Sequence, residues 1–366
     1  MRILALVTEA FGGHRGISRF NRIFLSSLNS AASDIQIVVL PRLTRETIEP
    51  LPQGVTQLPA PTNKLTYVLS AVKVFLKEGP FDLIFCGHLH LAFLAAGLAA
   101  LGKIPFWLQI YGIEAWSKPS SFYRWAVARA SLVTALSRYT RRRFLRWSVI
   151  APDRVRILPA TVDSKFQPGP KPDYLMERYR LVDKKILLTL TYLSSKERYK
   201  GIDRIIRLMS NLLKEHPDLV YVVAGNGDDH NHYEAIAREE NLSGIVRFIG
   251  EVKESELVDH YRMADLFVMP STGEGFGIVF LEAASCGIPV VGGNEDGSFD
   301  ALLEGRLGYT VELDGSRELR RAILDDLNSK AIYPEAEQVE KFSNENFSRL
   351  IKTLLKQGIN SEKRVG

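Results

Sequence analysis

The sequence predicts an α/β protein built from two doubly wound domains with parallel sheets. Its 366 residues are too many for one core, and an apolar content of 46% is enough for two. Short apolar runs alternate with helical patterns along the whole chain, as expected for parallel strands that helices cover on both faces. A proline-rich stretch near the middle separates the two sets of elements.

The first half contains six predicted strands with helical patterns between them. The strand candidates are the apolar, β-branched runs 2–8, 34–40, 81–87, 105–112, 131–137 and 155–160. The helical patterns cover 18–29, 64–77 and 139–147. The apolar run 91–101 is shorter than the ~18 residues that span a bilayer, so we interpret it as a core helix.

The second half repeats this order of elements. Its strand candidates are 185–193, 219–225, 246–250, 266–270, 288–293 and 308–313, and its helical patterns cover 203–216, 232–242, 254–264 and 277–287. The linker candidate, 163–175, predicts domains at 1–165 and 166–345, with a C-terminal helix in 346–366 that packs back towards the first domain. Two such domains leave a cleft at the carboxyl ends of their strands, where open sheets bind ligands.

The charge is distributed unevenly between the two halves. Residues 1–165 carry 21 Lys+Arg and 9 Asp+Glu (+12), whereas 166–366 carry 26 and 33 (−7), which sums to the net +5. A basic first half favours an anionic partner such as a phosphate, a membrane surface or a nucleic acid. Cys86 and Cys286 lie in apolar contexts and indicate buried thiols rather than a disulfide framework or a metal site.

One basic stretch could bind an anionic membrane. Residues 118–147 contain eight Lys/Arg and no acidic residue, with aromatic residues interleaved. The alternative is a solvated helix face with aromatic residues in the core. Nucleic acid is not expected as a partner because no nucleic-acid-binding motif accompanies the charge.

The short apolar start of the chain predicts a first strand rather than a signal peptide, so we expect a cytoplasmic protein. It would lie at the inner face of the plasma membrane if residues 118–147 bind lipid.

Two glutamates mark a candidate ligand site in the second half. The stretch "STGEGFGIVFLE" places Glu274 on a glycine-rich loop after a strand and Glu282 on the apolar helix that follows. Glycines let a ligand approach the backbone, and a helix N-terminus stabilises negative charge. A carboxylate on an apolar helix is buried only if it is paired, and vicinal sugar hydroxyls could pair with it. The alternative is a helix N-terminal charge and a surface glutamate.

This stretch resembles the E-x7-E signature of retaining glycosyltransferases of family 4, which have the GT-B fold of two Rossmann-like domains facing across a cleft. Other stretches resemble the family's segments in the same order: "LSRYTRRR" (136–143), "RILPATVDSKFQP" (156–168), "LSSKERYKGIDRII" (193–206), "VVAGNGDD" (222–229) and the run from 246 into the signature. The likeness is close over about 150–360 and looser over 1–150.

The resemblance assigns roles to residues of the second domain. It implies that Glu274 holds the donor sugar, that Glu282 holds the ribose and that Lys200 balances the leaving diphosphate. Relatives have an arginine where this chain has Tyr192, and we expect Arg198 to replace that charge. The remaining expected donor contacts are Gly225, Gly275, Phe276, Gly277, Ile278 and Val279. No D-x-D motif is present, so we expect no metal and no cofactor.

The first domain contributes the predicted acceptor side. "FGGHRGISRF" (11–20) resembles the family's glycine-rich loop, in which the amide of Gly16 would face the diphosphate, and His14 and Arg15 could contact the acceptor. Relatives often have a histidine where this chain has Tyr111, which can hydrogen-bond a sugar hydroxyl but does not carry protons at neutral pH. His88 and His90 follow the preceding strand and could supply an imidazole, or could be capping or core histidines.

The resemblance therefore implies a retaining hexosyltransferase that uses a nucleotide-diphosphate sugar, and we expect it to be metal-independent and to prefer a UDP-sugar to a GDP-sugar. Its partners would be that donor and a glycan or lipid-linked acceptor, in polysaccharide or glycolipid synthesis. The alternative is a catalytically inactive sugar-nucleotide-binding protein with a regulatory or scaffold role. A nicotinamide oxidoreductase is disfavoured because the G-x-G-x-x-G spacing is missing.

Overall fold

The computed structural model describes residues 1–13, 16–31, 34–45, 47–48, 50–312, 316–330 and 333–360. The chain forms two compact units. Unit 1 contains Met1–Thr161 and the chain from Asn344 onward, and unit 2 contains Val162–Ser343. In the part of the chain that is described, no helix is long and apolar enough to cross a membrane.

Unit 1 is built on a seven-stranded parallel sheet with the order β3-β2-β1-β4-β5-β6-β7. Its strands are almost wholly apolar and buried, as a sheet covered on both faces requires. They are β1 Arg2–Val7, β2 Gln36–Pro41, β3 Val55–Gln57, β4 Leu83–Cys86, β5 Phe106–Ile110, β6 Leu132–Ala135 and β7 Val155–Ile157.

Six helices cover this sheet: α1 Gly16–Ser30, α2 Lys64–Glu78, α3 Ala92–Gly102, α4 Ser121–Val127, α5 Arg138–Leu145 and, from the end of the chain, α14 Asn344–Asn360. One face of the sheet forms a single apolar cluster with α2, α3, α4 and α5. On α1, the ring of Phe24 stacks on Phe85 of β4 with centroids 4.2 Å apart. Helix α14 packs on α1, where the rings of Phe20 and Phe347 meet edge to face at 5.8 Å.

Unit 2 has a six-stranded parallel sheet with the order β10-β9-β8-β11-β12-β13. Its strands are β8 Lys185–Leu190, β9 Leu219–Ala224, β10 Val246–Gly250, β11 Leu266–Met269, β12 Val290–Gly293 and β13 Tyr309–Val311. Its helices are α6 Asp173–Arg178, α7 Ile202–Leu212, α8 His230–Glu239, α9 Leu257–Arg262, α10 Ile278–Ser285, α11 Ser298–Ala301, α12 Ser316–Asp325 and α13 Ala336–Glu340.

The predicted fold class is confirmed to the extent that both units are doubly wound parallel sheets. Each of the twelve predicted strands corresponds to an observed strand. The short edge strand β3 was not predicted because three residues give no measurable periodicity.

In both sheets the strand order reverses beside the first strand, between β1 and β4 in unit 1 and between β8 and β11 in unit 2. At such a reversal point, the loops that follow the two neighbouring strands run to opposite faces of the sheet. Open α/β sheets bind ligands in the crevice that results. Each unit therefore has one expected ligand-binding edge.

Candidate active site

The ligand-binding edge of unit 2 is made by the loops that follow β8 and β11. Both loops depend on glycines, because a Cβ on Gly201 would lie 2.6 Å from the carbonyl oxygen of Pro270, and one on Gly273 would lie 2.7 Å from the ring of Tyr199. The amide of Thr272 donates to the carbonyl of Tyr199 at 3.0 Å. The two loops thus pack closely together at the reversal point.

Lys200 lies at the end of a 3-10 turn in the loop after β8. Its side chain is only 10% exposed. The ammonium Nζ donates to Thr191 Oγ1 at 2.6 Å and to Glu197 Oε2 at 2.6 Å. Gly201 follows with a φ of 77° and is the N-cap residue of α7, so the turn fixes the position of Lys200 at the sheet edge. Glu197 balances part of this positive charge, and the ammonium group could also bind an anionic ligand.

Glu274 lies on the loop after β11, within the electrostatic reach of Lys200. Burial raises the pKa of its carboxyl group to about 7, and the negative charges of Asp296 and Glu197 act in the same direction, while Lys200 lowers it. The carboxyl group therefore changes protonation near neutral pH. It can accept a hydrogen bond from a sugar hydroxyl when ionised and donate one when protonated.

Asp296 shapes this site, and the sequence analysis missed it. Its carboxylate is buried and accepts three hydrogen bonds, from Ser271 Oγ at 2.9 Å, from the amide of Glu274 at 2.6 Å and from the amide of Ser298 at 2.8 Å. These contacts tie the loop after β12 to the backbone of Glu274. The available signal was the Asp-Gly-Ser turn three residues after a strand, in which an aspartate commonly accepts the amide two residues on.

Glu282 is buried on α10, and its Oε2 accepts a hydrogen bond from the hydroxyl of Tyr261 at 2.6 Å. The expectation that this carboxylate is buried only with a partner therefore agrees with the structure. Tyr261 belongs to α9, so the pair also joins two helices of unit 2. The ribose-binding role of Glu282 stays a prediction.

Arg198 has a partner that the sequence analysis did not anticipate. Its Nε and Nη2 donate to the two carboxylate oxygens of Asp229 at 2.8 and 2.7 Å. Asp229 is buried in the turn after β9 while the guanidinium is half exposed. We expected the positive charge of Arg198 to replace the arginine that relatives have at the position of Tyr192. Asp229 already balances much of this charge. A role of Arg198 towards phosphate stays a prediction.

The predicted backbone contacts lie in the loop after β9, which contains Gly225, and in the loop after β11 with the start of α10. Gly225 has a φ of 134°, and a Cβ there would lie 1.8 Å from the carbonyl oxygen of Thr191, so glycine is required for packing in any case. Gly277, with a φ of 84°, precedes α10. Ile278 and Val279 form its first turn, where amides have no intrahelical acceptor.

Gly275 and Phe276 contribute to packing within unit 2. A Cβ on Gly297 would lie 2.2 Å from the carbonyl oxygen of Gly275, so the two loops touch through their backbones. The ring of Phe276 is buried edge to face against Phe342, with centroids 5.8 Å apart. Only the backbone of Phe276 is therefore suited to the predicted donor contact.

In unit 1, Tyr111 directs its hydroxyl into the protein. The hydroxyl donates to Asn21 Oδ1 at 2.7 Å, and Asn21 Nδ2 donates to the carbonyl of Glu9 at 2.8 Å. Tyr111 is buried, and its pKa is raised well above the usual value by burial and by the neighbouring Glu114. The hydroxyl thus stays protonated, and its proton is already used within unit 1.

The two histidines differ in their surroundings. His88 is buried after β4, where its Nδ1 accepts the amide of His90 at 3.2 Å and caps a 3-10 turn. Burial and the nearby His90 lower the pKa of His88 to about 4, so its imidazole is neutral at physiological pH. His90 is exposed, with its ring centroid 4.7 Å from that of His88. Capping was one of the roles that the sequence left open for these residues.

Glu114 is a partly buried carboxylate that the sequence analysis also missed. It accepts hydrogen bonds from the amides of Tyr111 at 2.6 Å and Gly112 at 3.0 Å, and burial raises its pKa. Gly16 is the first residue of α1, and the contact of its amide with the diphosphate stays a prediction. His14 and Arg15 lie outside the described residues.

Two family descriptions match the chain, one in each half. Residues 16–166 match Glycosyltransferase Family 4, and residues 178–349 match Glycosyl transferases group 1. The chain therefore belongs to glycosyltransferase family 4.

The curated relatives include GDP-mannose-dependent mannosyltransferases. The GDP-mannose-dependent alpha-(1-6)-phosphatidylinositol monomannoside mannosyltransferase of Mycolicibacterium smegmatis is 35% identical over 193 residues, which cover 50% of this chain and 49% of the relative. The chain thus spans about half the length of that relative. A GDP-mannose-dependent monoacylated alpha-(1-6)-phosphatidylinositol monomannoside mannosyltransferase of Corynebacterium glutamicum is 29% identical over 287 residues, covering 74% of this chain and 72% of the relative.

Solved structures share the fold over nearly the whole chain. HepE of Anabaena, in complex with UDP and glucose, superposes with a TM-score of 0.76 at 18% identity, covering 97% of this chain and 99% of HepE. Sucrose-phosphate synthase of Thermosynechococcus elongatus gives a TM-score of 0.76 at 20% identity, covering 98% and 99%. At these identities the likeness shows the fold.

Proposed function

We propose that the protein transfers a hexose from a nucleoside-diphosphate sugar to a lipid-linked or glycan acceptor. The observation that carries the proposal is the placement of Lys200 and Glu274 on neighbouring loops at the reversal point of the unit 2 sheet, where the charge of Lys200 lowers the pKa of Glu274 against the effect of burial. A fixed cation suits a diphosphate, and a carboxyl group with a pKa of about 7 suits sugar hydroxyls. Membership of glycosyltransferase family 4 supports this assignment.

The proposed reaction retains the configuration of the sugar. The bond from the anomeric carbon to the diphosphate breaks, the bond to the acceptor oxygen forms on the same face, and the leaving phosphate takes the acceptor's proton. Lys200 and the first amides of α10, those of Ile278 and Val279, balance the charge that develops on the leaving group. With these donors in place, the proposed reaction needs no metal ion.

Glu274 would orient the transferred sugar, and Glu282 would bind the ribose. Asp296 acts through Glu274, because it fixes the amide of that residue at 2.6 Å. It is therefore a positioning residue, and its loss should misplace Glu274 rather than remove a contact with the sugar.

The donor nucleotide is a further part of the proposal. The mannosyltransferases named above are GDP-mannose-dependent, whereas HepE was solved with UDP and glucose. Sequence similarity is higher to the former, so we propose GDP-mannose first, in place of the UDP-sugar that the sequence analysis preferred. The lipid substrates in the names of those relatives likewise favour a phosphoinositide-type acceptor.

The alternative is a protein that binds sugar nucleotides without catalysis. It is favoured by Tyr111, whose hydroxyl is used by Asn21, and by the pairing of Arg198 with Asp229. Binding of a donor without either transfer or slow donor hydrolysis would support this alternative.

The experiment follows release of nucleoside diphosphate and labelled product from GDP-mannose and UDP-glucose, with lipid extracts as acceptors. We expect turnover by the wild type and a large loss in Lys200→Met, while the matched variant Lys196→Met, at an exposed position of the same loop, stays active. Circular dichroism checks that both variants are folded. Equal activity of the two variants would contradict the role of Lys200.

A further inference from the structure

Three neighbouring helices of unit 1 expose an unusual number of apolar side chains. Eight of the sixteen large apolar residues that are exposed in the described part of the chain lie on α2, α3 and α4. They are Leu65, Val68, Leu69, Leu76, Phe93, Leu101, Phe122 and Trp125. We call these eight residues the apolar face. Such a concentration marks a binding surface more often than scattered single residues do.

On α2 the exposed apolar residues form a stripe of their own. Leu65, Val68, Leu69 and Leu76 fall within an arc of roughly 100° at 3.6 residues per turn. The residues that face the core, Tyr67 and Ala71 among them, occupy a different side of the helix. Leu65 is 68% exposed and Leu76 is 66% exposed. This stripe therefore does not belong to the core of unit 1.

Helices α3 and α4 continue the apolar face. The ring of Phe93 meets those of Phe122 and Trp125 at centroid distances of 5.8 and 5.7 Å. Phe75 of α2 packs against Gly102 at the end of α3, where a Cβ would lie 2.6 Å from the ring. The three helices are thus neighbours on one face of the sheet.

Basic residues surround the apolar face. The segment 60–129 contains seven Lys/Arg against three acidic residues. Lys64, Lys73 and Lys77 flank the α2 stripe, and all three are exposed. Arg129 stacks its guanidinium on the ring of Trp125 at 3.9 Å, which places a cation at the edge of the aromatic cluster.

The acidic residues of this segment do not offset these charges. Glu78 and Asp82 both contact Arg2 at the amino-terminal edge of the sheet. Glu114 is held by backbone amides.

This arrangement corrects the prediction that 118–147 acts as one membrane-binding stretch. Its second half belongs to the framework of unit 1: Phe144 is buried, and Arg141 donates to the carbonyls of Val155 at 2.8 Å and Pro152 at 2.9 Å. Trp147 donates to the carbonyl of Ala115 at 2.7 Å. Only α4 presents its aromatic residues to solvent.

We propose that the apolar face and its surrounding lysines dock unit 1 on an anionic lipid bilayer. Leucine, phenylalanine and tryptophan side chains suit the boundary between headgroups and acyl chains, and lysines around them suit anionic headgroups. The charge complementarity favours a membrane over a second copy of this chain, because two copies would bring the same lysines together. This inference concerns a surface apart from the donor site and stands without the proposed reaction.

The experiment is co-sedimentation of the purified protein with vesicles that contain rising fractions of phosphatidylglycerol in phosphatidylcholine. We expect binding that grows with the anionic fraction and falls with salt. Lys64→Gln, Lys73→Gln and Lys77→Gln together should weaken binding roughly 100-fold at low salt, from about five-fold for each lysine near the surface. Leu65→Gln, Leu69→Gln and Leu76→Gln together should abolish it.

Matched controls change the same number of residues elsewhere. Lys184→Gln, Lys214→Gln and Lys341→Gln remove three exposed charges of unit 2, and Val149→Gln, Val182→Gln and Tyr333→Gln remove three exposed apolar residues outside the apolar face. Both sets should bind vesicles as the wild type does. Thermal melting checks that every variant is folded.

Three outcomes would overturn the inference. The first is wild-type protein that stays in the supernatant at every lipid composition. The second is an equal loss of binding in the control variants. The third is a lipid-free dimer, seen by sedimentation velocity, that the three leucine substitutions convert to a monomer, because the apolar face would then be occupied by a second copy.

Discussion

Replacing Glu274 by glutamine should stabilise the protein above neutral pH. Burial raises the pKa of this carboxyl group from 4.5 to about 7 in the folded state. Between these two values the folded protein holds a proton that the unfolded chain has lost. The protonated carboxyl group of Glu274 therefore makes its full contribution to the free energy of unfolding below about pH 4.5. This contribution decreases as the pH rises, and it is lost above about pH 7. The full difference corresponds to about 3 kcal/mol.

The Glu274→Gln variant keeps the shape of the side chain but carries no charge at any pH. Compared with the wild type, it should have similar stability at pH 5 and a larger free energy of unfolding at pH 8, by up to about 3 kcal/mol. For a unit of this size, that difference raises the melting temperature by roughly 5–10 °C. Hexosyl transfer should fall at the same time, because the carboxyl group that orients the sugar is gone.

The assay is thermal unfolding of both proteins at several pH values between 5 and 8. Glu295→Gln is the matched control, since Glu295 is exposed in the neighbouring loop and should leave the pH dependence unchanged. If the wild type and Glu274→Gln keep a constant stability difference across this range, Glu274 does not titrate near neutral pH, and the reasoning from its burial is refuted.

Four further predictions concern the same unit. Glu282→Ala should weaken nucleotide binding by ~1.5–3 kcal/mol in calorimetry, whereas Tyr261→Phe, which keeps the carboxylate, should lose much less; equal losses would remove the ribose role. Activity should persist in excess EDTA, and a loss that Mg²⁺ or Mn²⁺ restores would argue for a metal. Arg198→Met should lower stability because the buried carboxylate of Asp229 loses its charged partner, and Asp229→Leu in the same chain should restore it in thermal melts. Gly225→Ala should cost at least about 3 kcal/mol of stability, and a wild-type melting temperature would contradict the close contact with Thr191.

The sequence predicted the sheets because parallel strands are apolar on both faces. Runs such as 219–225 have that pattern and form β9 almost residue for residue. The geometry of the loops at the site was harder to predict from the sequence. Asp296 holds the amide of Glu274 from 22 positions away, and Asp229 neutralises Arg198 across 31 positions. Pairs so far apart in sequence leave no periodic signal, and only the fold brings them together.

The basic stretch 118–147 is a second case in which the sequence alone did not show what the side chains contact. Its composition correctly indicated many cations, but composition does not distinguish Arg141, which hydrogen-bonds the carbonyl of Val155, from a solvated arginine. Nor does it show that α2, some 50 residues earlier, lies on the same face of the sheet as α4. Surface patches assembled from several helices therefore require the structure.

The most direct test of the account is calorimetric titration of the wild type and Lys200→Met with GDP-mannose, UDP-glucose and ADP-glucose in the presence of EDTA. The account predicts that the wild type binds one of these donors without metal. Lys200→Met should bind that donor roughly 10- to 100-fold more weakly, the loss expected for a charged hydrogen bond to a diphosphate. A wild type that binds none of the three, or a folded Lys200→Met that binds as tightly as the wild type, would contradict the central claim.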